Sequence, residues 1–344
     1  MVKVGIINVT GYSGIELARI LSRHPEAEVT SVTGRSTVGQ TLGDVFPHLS
    51  AVGLTITEEV TESVDVVFSA LPHQASAERL APFIDSGVKA IDISADYRLK
   101  DLDEYEEWYG PHPHPSHVED AVYGLPELHR DEVAGARLVA NPGCFPTPSI
   151  LALAPVAAAG LIESDIIVDA KSGVSGAGRS VDIGFLFSEV NESVKAYKVG
   201  GHRHMPEIRQ ELGGLDGVGP VEVTFLPHLI PMTRGILASC YARLRVGESF
   251  SGPNGQARLI DLYRDYYDDH PFVHIADEPP STKQTLGNND CRIYPTVDQT
   301  TGRLIAVGCI DNLVKGAAGQ AVQNMNIMFG MPEHLGLEEL ALYP

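Results

Sequence analysis

The stretch Gly5-Ile6-Ile7-Asn8-Val9-Thr10-Gly11-Tyr12-Ser13-Gly14 decides the fold of the first half of the chain, because it joins an apolar strand directly to a helix. The strand is predicted over Val2 to Asn8, and apolar residues at helical spacing predict the helix over Ile15 to Ser22. Gly11 lets a pyrophosphate approach the backbone, and Gly14 lets helix and strand pack closely. The pattern predicts a dinucleotide-binding turn; a tight turn without a ligand is the alternative. The candidate cofactor contacts are Gly11, Tyr12, Ser13 and Gly14.

The end of the second predicted strand, Glu28 to Thr33, indicates which dinucleotide the turn would take. An NAD-type domain places Asp or Glu there for the ribose hydroxyls, whereas this sequence continues Gly34-Arg35-Ser36-Thr37. The Arg35 guanidinium and the hydroxyls of Ser36 and Thr37 suit a 2′-phosphate. We therefore expect NADP rather than NAD, bound in part by Arg35 and Ser36.

Short β-branched runs alternate with longer helical patterns up to residue 143, which is typical of βαβ units around a parallel sheet. Further strands are predicted at Val64 to Ala70, Lys89 to Ser94 and Ala136 to Asn141, with a helix at Gln74 to Asp85. The fold class expected for this half is therefore α/β, with a Rossmann-type parallel sheet.

The second half changes to longer alternating strands after a helix predicted over Thr147 to Ala159. The strands are predicted at Ile166 to Lys171, Val221 to Leu226, Gly235 to Val246, Arg292 to Val297 and Leu304 to Asp311. A turn sequence at 298–302 joins the last two into a hairpin, so we expect an α+β domain over 144–311 with a mixed or antiparallel sheet. The helical run from Asn312 to Phe329 is expected to return to the first domain, which then comprises 1–143 and 312–344.

The length and composition of the chain restrict the cellular compartment of the protein and the partners that it can bind. A chain of 344 residues is longer than a single hydrophobic core usually accommodates, which supports two domains. With 25 Lys+Arg against 45 Asp+Glu the formal charge is −20, which disfavours nucleic acid and anionic membranes. The N-terminal apolar run is too short for a signal peptide, and no 18-residue apolar stretch occurs. We therefore expect a cytoplasmic protein.

Metal and disulfide chemistry are not indicated. The cysteines at 144, 240, 291 and 309 include no CxxC pair. His112, His114 and His117 lie in a Pro-rich stretch with few carboxylates placed to help, which is more typical of solvated surface than of a metal site. No metal is expected.

Cys144 stands at the junction between the two halves, in Asn141-Pro142-Gly143-Cys144-Phe145-Pro146-Thr147. A cysteine at a helix N-terminus feels the positive end of the helix dipole, which favours the thiolate. Cys144 is therefore the candidate nucleophile, and a buried apolar cysteine is the alternative. That alternative fits Cys240 and Cys309, which lie inside strand patterns, while Cys291 is undecided.

A nucleophilic thiolate needs an acid/base partner, and the stretch Gly200-Gly201-His202-Arg203-His204-Met205-Pro206-Glu207-Ile208 supplies two candidates. Pro206 suits a helix start, and Glu207 is near enough in sequence to orient His204. His204, or failing that His202, is the predicted acid/base. The alternative is that both histidines are surface residues.

Eight separate motifs point to one family. They are Gly11-Tyr12-Ser13-Gly14, Ala70-Leu71-Pro72-His73, Asp92-Ile93-Ser94-Ala95-Asp96-Tyr97-Arg98-Leu99, Tyr123-Gly124-Leu125-Pro126-Glu127, Asn141-Pro142-Gly143-Cys144-Phe145-Pro146-Thr147, Ser172-Gly173-Val174-Ser175-Gly176-Ala177-Gly178-Arg179, His202-Arg203-His204, and Asp311-Asn312-Leu313-Val314-Lys315-Gly316-Ala317-Ala318-Gly319-Gln320. Over essentially the whole chain the sequence resembles the N-acetyl-gamma-glutamyl-phosphate reductases of arginine biosynthesis.

The resemblance implies a Rossmann domain and a catalytic domain like that of glyceraldehyde-3-phosphate dehydrogenase. It implies that Cys144 attacks an acyl phosphate, that NADPH reduces the resulting thioester to a semialdehyde, and that His204 or His202 handles the proton. Backbone N–H groups at the start of the Cys144 helix are further candidates to stabilise the oxyanion. In the second half of the chain, the resemblance places four residues at the cofactor: Ser175, Gly176, Asn312 and Lys315.

Arg98, Arg179 and Arg203 are the candidate ligands of the substrate's phosphate and carboxylate, because a planar guanidinium matches both groups. A structural ion pair of Arg98 with Asp96 or Asp92 is the alternative for that residue. Which arginine binds which anion stays open.

Two positions depart from the family pattern. Asn8 replaces a turn glycine, and Asn tolerates unusual backbone angles better than most residues. Pro148 replaces a small residue, but it falls in the first helical turn, where its missing N–H would be unpaired anyway. Neither change touches a reacting atom.

Several alternatives remain on sequence grounds. Aspartyl phosphate or the longer aminoadipyl phosphate of lysine biosynthesis, free or carrier-bound, would suit the same machinery. A Cys-His thiol hydrolase would not need the glycine turn, and an NADPH-binding regulator would not need the cysteine and the histidines. The resemblance also suggests a homo-oligomer, dimer or tetramer, built through the sheet of the second domain.

Overall fold

The computed structural model describes residues 1–247, 250 and 252–343. Residues 248, 249, 251 and 344, which fall within the predicted domain ranges, lie outside the described residues. The strands are β1 (Val2–Ile7), β2 (Ala27–Thr33), β3 (Ile56–Thr57), β4 (Val66–Ser69), β5 (Lys89–Asp92), β6 (Ala121–Tyr123), β7 (Leu138–Ala140), β8 (Ile162–Ser172), β9 (Lys195–Ala196), β10 (Glu222–Leu229), β11 (Ile236–Leu244), β12 (Val273–Ile275), β13 (Cys291–Val297) and β14 (Arg303–Ile310). The α-helices are α1 (Tyr12–Leu21), α2 (Leu42–Val45), α3 (Ser76–Asp85), α4 (Leu102–Tyr109), α5 (Pro126–Gly135), α6 (Pro146–Ala158), α7 (Phe187–Val190), α8 (Met205–Gly213), α9 (Gly252–Tyr266) and α10 (Gly319–Met328).

The chain divides into two compact units. Unit 1 comprises Met1–Gly143 and Ala317–Glu339, and unit 2 comprises Cys144–Gly316 and Leu340–Pro344. Within the described residues, every helix is too short or too polar to cross a lipid bilayer.

Unit 1 is built on a parallel sheet. Its strand order is β3-β2-β1-β4-β5-β7-β6, and every pairing is parallel. The order reverses between β1 and β4, and ligands of such sheets bind in the crevice that opens there beyond the carboxyl ends of the strands. The turn that follows β1 lies at this position, so the predicted Rossmann-type sheet is confirmed, with the glycine turn at its switch point.

Unit 2 is built on a mixed sheet. Its strand order is β12-β13-β14-β11-β8-β10-β9. The β8–β10 and β12–β13 pairs are parallel, and the other pairs are antiparallel. The predicted hairpin is β13–β14, closed by a hydrogen bond from the Asp298 N–H to the Arg303 carbonyl at 2.9 Å. The α+β expectation for this half is therefore confirmed.

Helix α6 forms the centre of unit 2. It is apolar on all sides and buried along almost its whole length, which is typical of a core helix. Pro155 has no N–H, so the Leu151 carbonyl lacks the usual helical donor, and the Tyr267 hydroxyl donates to that carbonyl at 2.6 Å. Helix α6 thereby provides a fixed base for the residues that precede it.

Two features differ from the sequence-based expectation. Residues 312–316 and 340–343 group with unit 2 rather than unit 1, because Asn312 bonds to Gly235 and Ser175, and the Leu342 N–H donates to the Leu286 carbonyl at 2.8 Å. The helical run predicted from residue 312 begins as a π-helical turn, Val314–Ala318, before α10.

Candidate active site

The glycine turn has the backbone geometry that its sequence requires. Asn8 adopts a left-handed conformation with φ 63°, and its side-chain amide donates to the Ala70 carbonyl at 2.8 Å. The expectation that Asn replaces glycine here without loss of the turn is confirmed. A Cβ on Gly14 would lie 2.5 Å from the Asn8 carbonyl oxygen, so only glycine fits. A Cβ on Gly11 would meet no atom closer than 3.4 Å, so any demand for glycine there would come from a ligand.

The groups expected to contact a 2′-phosphate follow β2 directly. The side chains of Arg35 and Ser36 are exposed, whereas the Thr37 hydroxyl oxygen is buried. Tyr12 at the start of α1 is also exposed, at 38%. Arg35 and Ser36 are therefore accessible to a ligand at the carboxyl end of the unit 1 sheet.

Gln320 is a residue of unit 1 to which sequence reasoning assigned no role. It is fully buried in α10, yet neither its amide nitrogen nor its amide oxygen has a hydrogen-bond partner among the described residues. Buried polar groups are nearly always paired, because leaving one unpaired costs about 1–3 kcal/mol. The unpaired amide therefore makes Gln320 a candidate to hydrogen-bond a ligand of unit 1.

Arg98 is buried in unit 1. Its Nε donates to the Asn141 carbonyl and its Nη2 to the Ile93 carbonyl, both at 2.8 Å. Nearby, the buried Asp92 accepts from both the hydroxyl and the N–H of Ser94. The two hydrogen bonds from Arg98 to backbone carbonyls give it a structural role in its loop. Its role toward a substrate anion stays a prediction.

Cys144 lies two residues before α6 in unit 2. It is partly exposed, whereas the other three cysteines, all in the described part of the chain, are buried. Burial raises the pKa of Cys240 to about 12 and that of Cys309 to about 11, which makes both unreactive. Accessibility thus distinguishes Cys144.

His204 is hydrogen-bonded to the Cys144 side chain and to Glu207. Its Nδ1 lies 3.2 Å from Glu207 Oε2, and the Glu207 side chain is only 1% exposed. Burial by itself lowers the pKa of His204, but the hydrogen bonds to Cys144 and Glu207 outweigh it, so the pKa is raised. The arrangement is a Cys–His–carboxylate chain suited to moving a proton at the thiol.

His202 has a different environment. Its ring packs against Phe145, Phe225 and Tyr197 at centroid distances of 5.1–5.7 Å. Burial, aided by the charge of His204, lowers the pKa of His202 to about 2, so this ring is neutral near pH 7. His202 Nδ1 accepts a hydrogen bond from the His204 N–H at 3.2 Å, which makes it a support for His204.

Tyr197 is a site residue that sequence reasoning missed. Its ring contacts the His202 ring at a centroid distance of 5.6 Å, and burial, followed by the charge of Cys144, raises the pKa of its phenol. The residue arrives there through tertiary structure, because its N–H pairs with the Pro227 carbonyl at the sheet edge, at 3.2 Å. No local motif marks it.

Asn312 connects two loops of unit 2 through side-chain hydrogen bonds. Its amide oxygen accepts from the Gly235 N–H at 2.8 Å, and its amide nitrogen donates to the Ser175 hydroxyl at 2.9 Å. Gly176, the neighbour of Ser175, is exposed. Asn312 thus holds the loop expected beside the cofactor. Lys315 is fully buried, with its ammonium 5.6 Å from the centroid of the Phe272 ring.

The structure distributes the remaining predicted residues between the two units. Arg179 is exposed and Arg203 is partly buried in unit 2, where the charge of Arg203 acts on His202. Unit 2 thus brings Cys144, His202, His204 and Arg203 together. Unit 1 carries the glycine turn, Arg35, Ser36 and Arg98.

The Pro-rich histidine stretch does not gather metal ligands. His112 Nε2 lies 2.6 Å from the Asp96 carbonyl, and His114 stacks on His117 at 5.2 Å. No group of three or more His, Cys, Asp or Glu side chains suited to a metal occurs among the described residues.

Comparison with known proteins gives the same two-part division. Residues 3–136 match the family model "Semialdehyde dehydrogenase, NAD binding domain", and residues 144–312 match "Semialdehyde dehydrogenase, dimerisation domain". The chain is 54% identical over 343 residues to an N-acetyl-gamma-glutamyl-phosphate reductase of Dehalococcoides mccartyi, covering 99% of both chains. It is 49% identical over 353 residues to the reductase of that name from Geobacter metallireducens, covering 100% of both.

Solved structures share the fold at low sequence identity. Aspartate semialdehyde dehydrogenase with NADP from Candida albicans superposes with a TM-score of 0.71 at 17% identity, covering 96% of this chain and 98% of that one. Aspartate semialdehyde dehydrogenase II from Vibrio cholerae gives a TM-score of 0.69 at 15% identity, with coverage of 96% and 98%.

Proposed function

The chain belongs to the N-acetyl-gamma-glutamyl-phosphate reductase family, and we propose that it reduces N-acetyl-gamma-glutamyl phosphate to N-acetylglutamate 5-semialdehyde with release of phosphate, in arginine biosynthesis. The observation that carries the proposal is the hydrogen-bonded chain Cys144–His204–Glu207, which places a sulfur nucleophile beside a proton donor. Accessibility of the thiol and burial of the carboxylate suit both groups to these roles.

In the first half of the reaction, the Cys144 sulfur attacks the acyl carbon of the substrate. A C–S bond forms, the bond from carbon to the phosphate oxygen breaks, and inorganic phosphate leaves with the electron pair. His204 remains an imidazolium during this step, since the raised pKa and the Glu207 carboxylate both favour its charged form. The product is a thioester on Cys144.

In the second half the thioester is reduced, and NADPH when bound supplies the hydride. As the carbonyl carbon is reduced, His204 donates its proton to the developing oxyanion, giving a thiohemiacetal. His204 then removes the hydroxyl proton, the C–S bond breaks, and the semialdehyde leaves with the thiolate and imidazolium restored. The backbone N–H groups of Cys144 and Phe145, just before α6, are assigned to the oxyanion, whereas Pro146 has no N–H to contribute.

His204 rather than His202 is assigned as the acid/base. His204 bonds to the thiol and has a raised pKa, whereas the pKa of His202 is lowered to about 2, which leaves it without a proton to donate. His202 supports the backbone of His204 and fills the apolar space beside Phe145.

NADP is the proposed form of the nicotinamide cofactor. Gly11 to Gly14 would hold the pyrophosphate at the start of α1, and the exposed Arg35 and Ser36 would hold the 2′-phosphate. The residues at the end of β2 include no acidic side chain for a ribose diol. Ser175 and Gly176, held by Asn312, are assigned to the nicotinamide end.

Arg179 and Arg203 are assigned to the phosphate and carboxylate of the substrate, and Arg98 is retained as a third candidate. Arg203 lies close enough to His202 for its charge to act on that ring. Its guanidinium therefore supplies positive charge beside the site of attack in a chain whose formal charge is −20.

We infer further that the chain forms a homo-oligomer through the unit 2 sheet and acts in the cytoplasm, with no nucleic-acid or membrane partner. Alternate residues of β8, β11 and β14 are buried, and the intervening ones form a half-exposed face. On that face Tyr241 pairs with Ile167 on one side and Ile305 on the other. A second copy would cover this apolar row. Light scattering tests this, with Tyr241→Asp expected to weaken the oligomer.

The experiment that tests the function compares three aldehydes in the reverse direction. N-acetylglutamate, N-acetylaminoadipate and aspartate semialdehydes are each oxidised with phosphate and either NADP⁺ or NAD⁺. We expect the N-acetylglutamate compound with NADP⁺ to give the highest kcat/KM. A higher value for another aldehyde would overturn the substrate assignment. Cys144→Ser is expected to abolish turnover while leaving NADPH binding intact.

A further inference from the structure

Gly316 packs directly against the nucleophile. A Cβ built on Gly316 would lie 2.9 Å from Cys144 Cβ and 3.2 Å from Cys144 Cα. It would also lie 3.2 Å from Ile310 Cδ1 on the other side. Carbon atoms that are not bonded prefer 3.5–4.0 Å, so a side chain at position 316 would have to displace Cys144.

The backbone of Gly316 is held in place by a π-helical turn, Val314–Ala318. The Gly316 N–H donates to the Asp311 carbonyl, five residues earlier, at 3.0 Å. The Asp311 carboxylate accepts from the N–H groups of Leu313 at 2.8 Å and of Val314 at 3.3 Å. A π-helical turn inside a helix is uncommon and is frequently found at functional sites.

The same buried carboxylate connects the turn to the rest of unit 2. Asp311 is fully buried, and its second oxygen accepts from the Gly287 N–H at 2.8 Å. Arg234 forms an ion pair with that oxygen at 3.5 Å. Since the turn is fixed from several directions, Gly316 cannot move away easily, and the strain of an added side chain would fall on Cys144.

We propose that Gly316 is a positioning residue for the reaction. Its missing side chain and the π-helical turn that Asp311 stabilises set the direction of the Cys144 side chain, so that the sulfur meets His204. The inference rests on the proposed function, because it concerns the geometry of the same nucleophile. It adds that a segment 172 positions away in sequence fixes that geometry.

The test is Gly316→Ala with two readouts. Steady-state kinetics should show kcat reduced on the order of 10- to 100-fold, since a misplacement near 1 Å has an effect of that size. The KM for NADP⁺ should be unchanged. Iodoacetamide alkylation of Cys144, followed by peptide mass spectrometry, should become slower near pH 7 and should rise with pH as for a thiol without an imidazolium partner.

The matched control is Gly43→Ala in unit 1. A Cβ there would lie 2.8 Å from Ser50 Cα, so the substitution is about as crowded, but it lies in a different unit from Cys144. It should lower the melting temperature while leaving both kcat and the alkylation rate of Cys144 near wild type. A similar loss in both variants would show that general destabilisation, not positioning, is responsible.

A second variant covers the case in which Gly316→Ala does not fold. Asp311→Asn weakens the turn without adding atoms beside Cys144, and should lower kcat and alkylation in the same direction by a smaller factor. Normal kcat and alkylation in every variant that folds would overturn the inference. Absence of turnover in wild type would instead overturn the proposed function, while the alkylation comparison would still decide the position of the thiol.

Discussion

Glu207 Oε2 lies 3.2 Å from His204 Nδ1, and the same imidazole is hydrogen-bonded to the Cys144 thiol. A carboxylate only accepts hydrogen bonds, so Nδ1 carries its proton and Nε2 is left for the sulfur. The buried negative charge favours the imidazolium, which can donate a proton at the reacting centre. One side chain, three positions after the histidine, therefore controls the charge of the acid/base group.

Replacing Glu207 by Gln should keep the hydrogen bond but remove the charge. The pKa of His204 then falls, so the imidazolium is lost at a lower pH, and the alkaline limb of the kcat/KM profile should move toward lower pH. Activity at pH 8 should fall about tenfold. A pH–rate profile from 5 to 9 measures this, and an unmoved alkaline limb would contradict the role of Glu207.

Replacement by Asn should have different effects on kcat at the two histidines. His204→Asn removes the proton donor, which should reduce kcat by a factor of about 10²–10⁴. His202→Asn removes a neutral ring from an apolar contact with Phe145 and should have the smaller effect on kcat, with some loss of stability. Measuring kcat and melting temperature for both variants tests the order. If His202→Asn lost turnover and His204→Asn kept it, the assignment would be reversed.

Arg35→Ala should alter the choice of cofactor. Its guanidinium is exposed after β2 and is assigned to the 2′-phosphate, which NADPH has and NADH lacks. Charge-assisted hydrogen bonds contribute about 1.5–3 kcal/mol, so the Kd for NADPH should rise about 10- to 100-fold while that for NADH stays nearly constant. Fluorescence titration with both cofactors checks this. If the wild-type chain bound NADH as tightly as NADPH, or more tightly, the assignment of Arg35 to the 2′-phosphate would be wrong.

Asp92→Asn should change how stability depends on pH. Burial, followed by the charge of Asp96, raises the pKa of Asp92 from 3.8 to about 6. The folded state thus holds its proton longer than the unfolded state, and the contribution to stability present below pH 4 is lost as pH rises through 6. Between pH 5 and 7.5 the wild-type chain should lose about 1–2 kcal/mol relative to Asp92→Asn. Urea unfolding at both pH values tests this. The same change in the free energy of unfolding for wild type and Asp92→Asn would contradict it.

Local sequence patterns sufficed for the features that local geometry determines. The glycine turn could be predicted because Gly14 must clear the Asn8 carbonyl whatever else surrounds it. Cys144 before a helix, and His204 three residues before Glu207, are likewise close in sequence to the groups that define them. The fold class and the family resemblance followed from the same motifs, and the comparisons confirm both.

Features that depend on distant contacts were not predictable. Tyr197 reaches His202 only through the pairing of β9 with β10, and Gly316 reaches Cys144 only through the π-helical turn. Helix α9 was missed because glycine, proline and asparagine at its start are typical of loops. Its apolar side, including Leu259 and Tyr263, is buried, so tertiary packing overrides that signal.

The most direct measurement is the trapping of the acyl-enzyme. The wild-type chain is mixed with N-acetylglutamate semialdehyde and NADP⁺ in the absence of phosphate, quenched within one turnover, and analysed by mass spectrometry. Without phosphate the thioester cannot be cleaved by its normal acceptor, so one N-acetylglutamyl group should appear on the peptide of Cys144, with an equal amount of NADPH. NADPH formation without an adduct, or an adduct on another residue, would contradict the covalent role of Cys144.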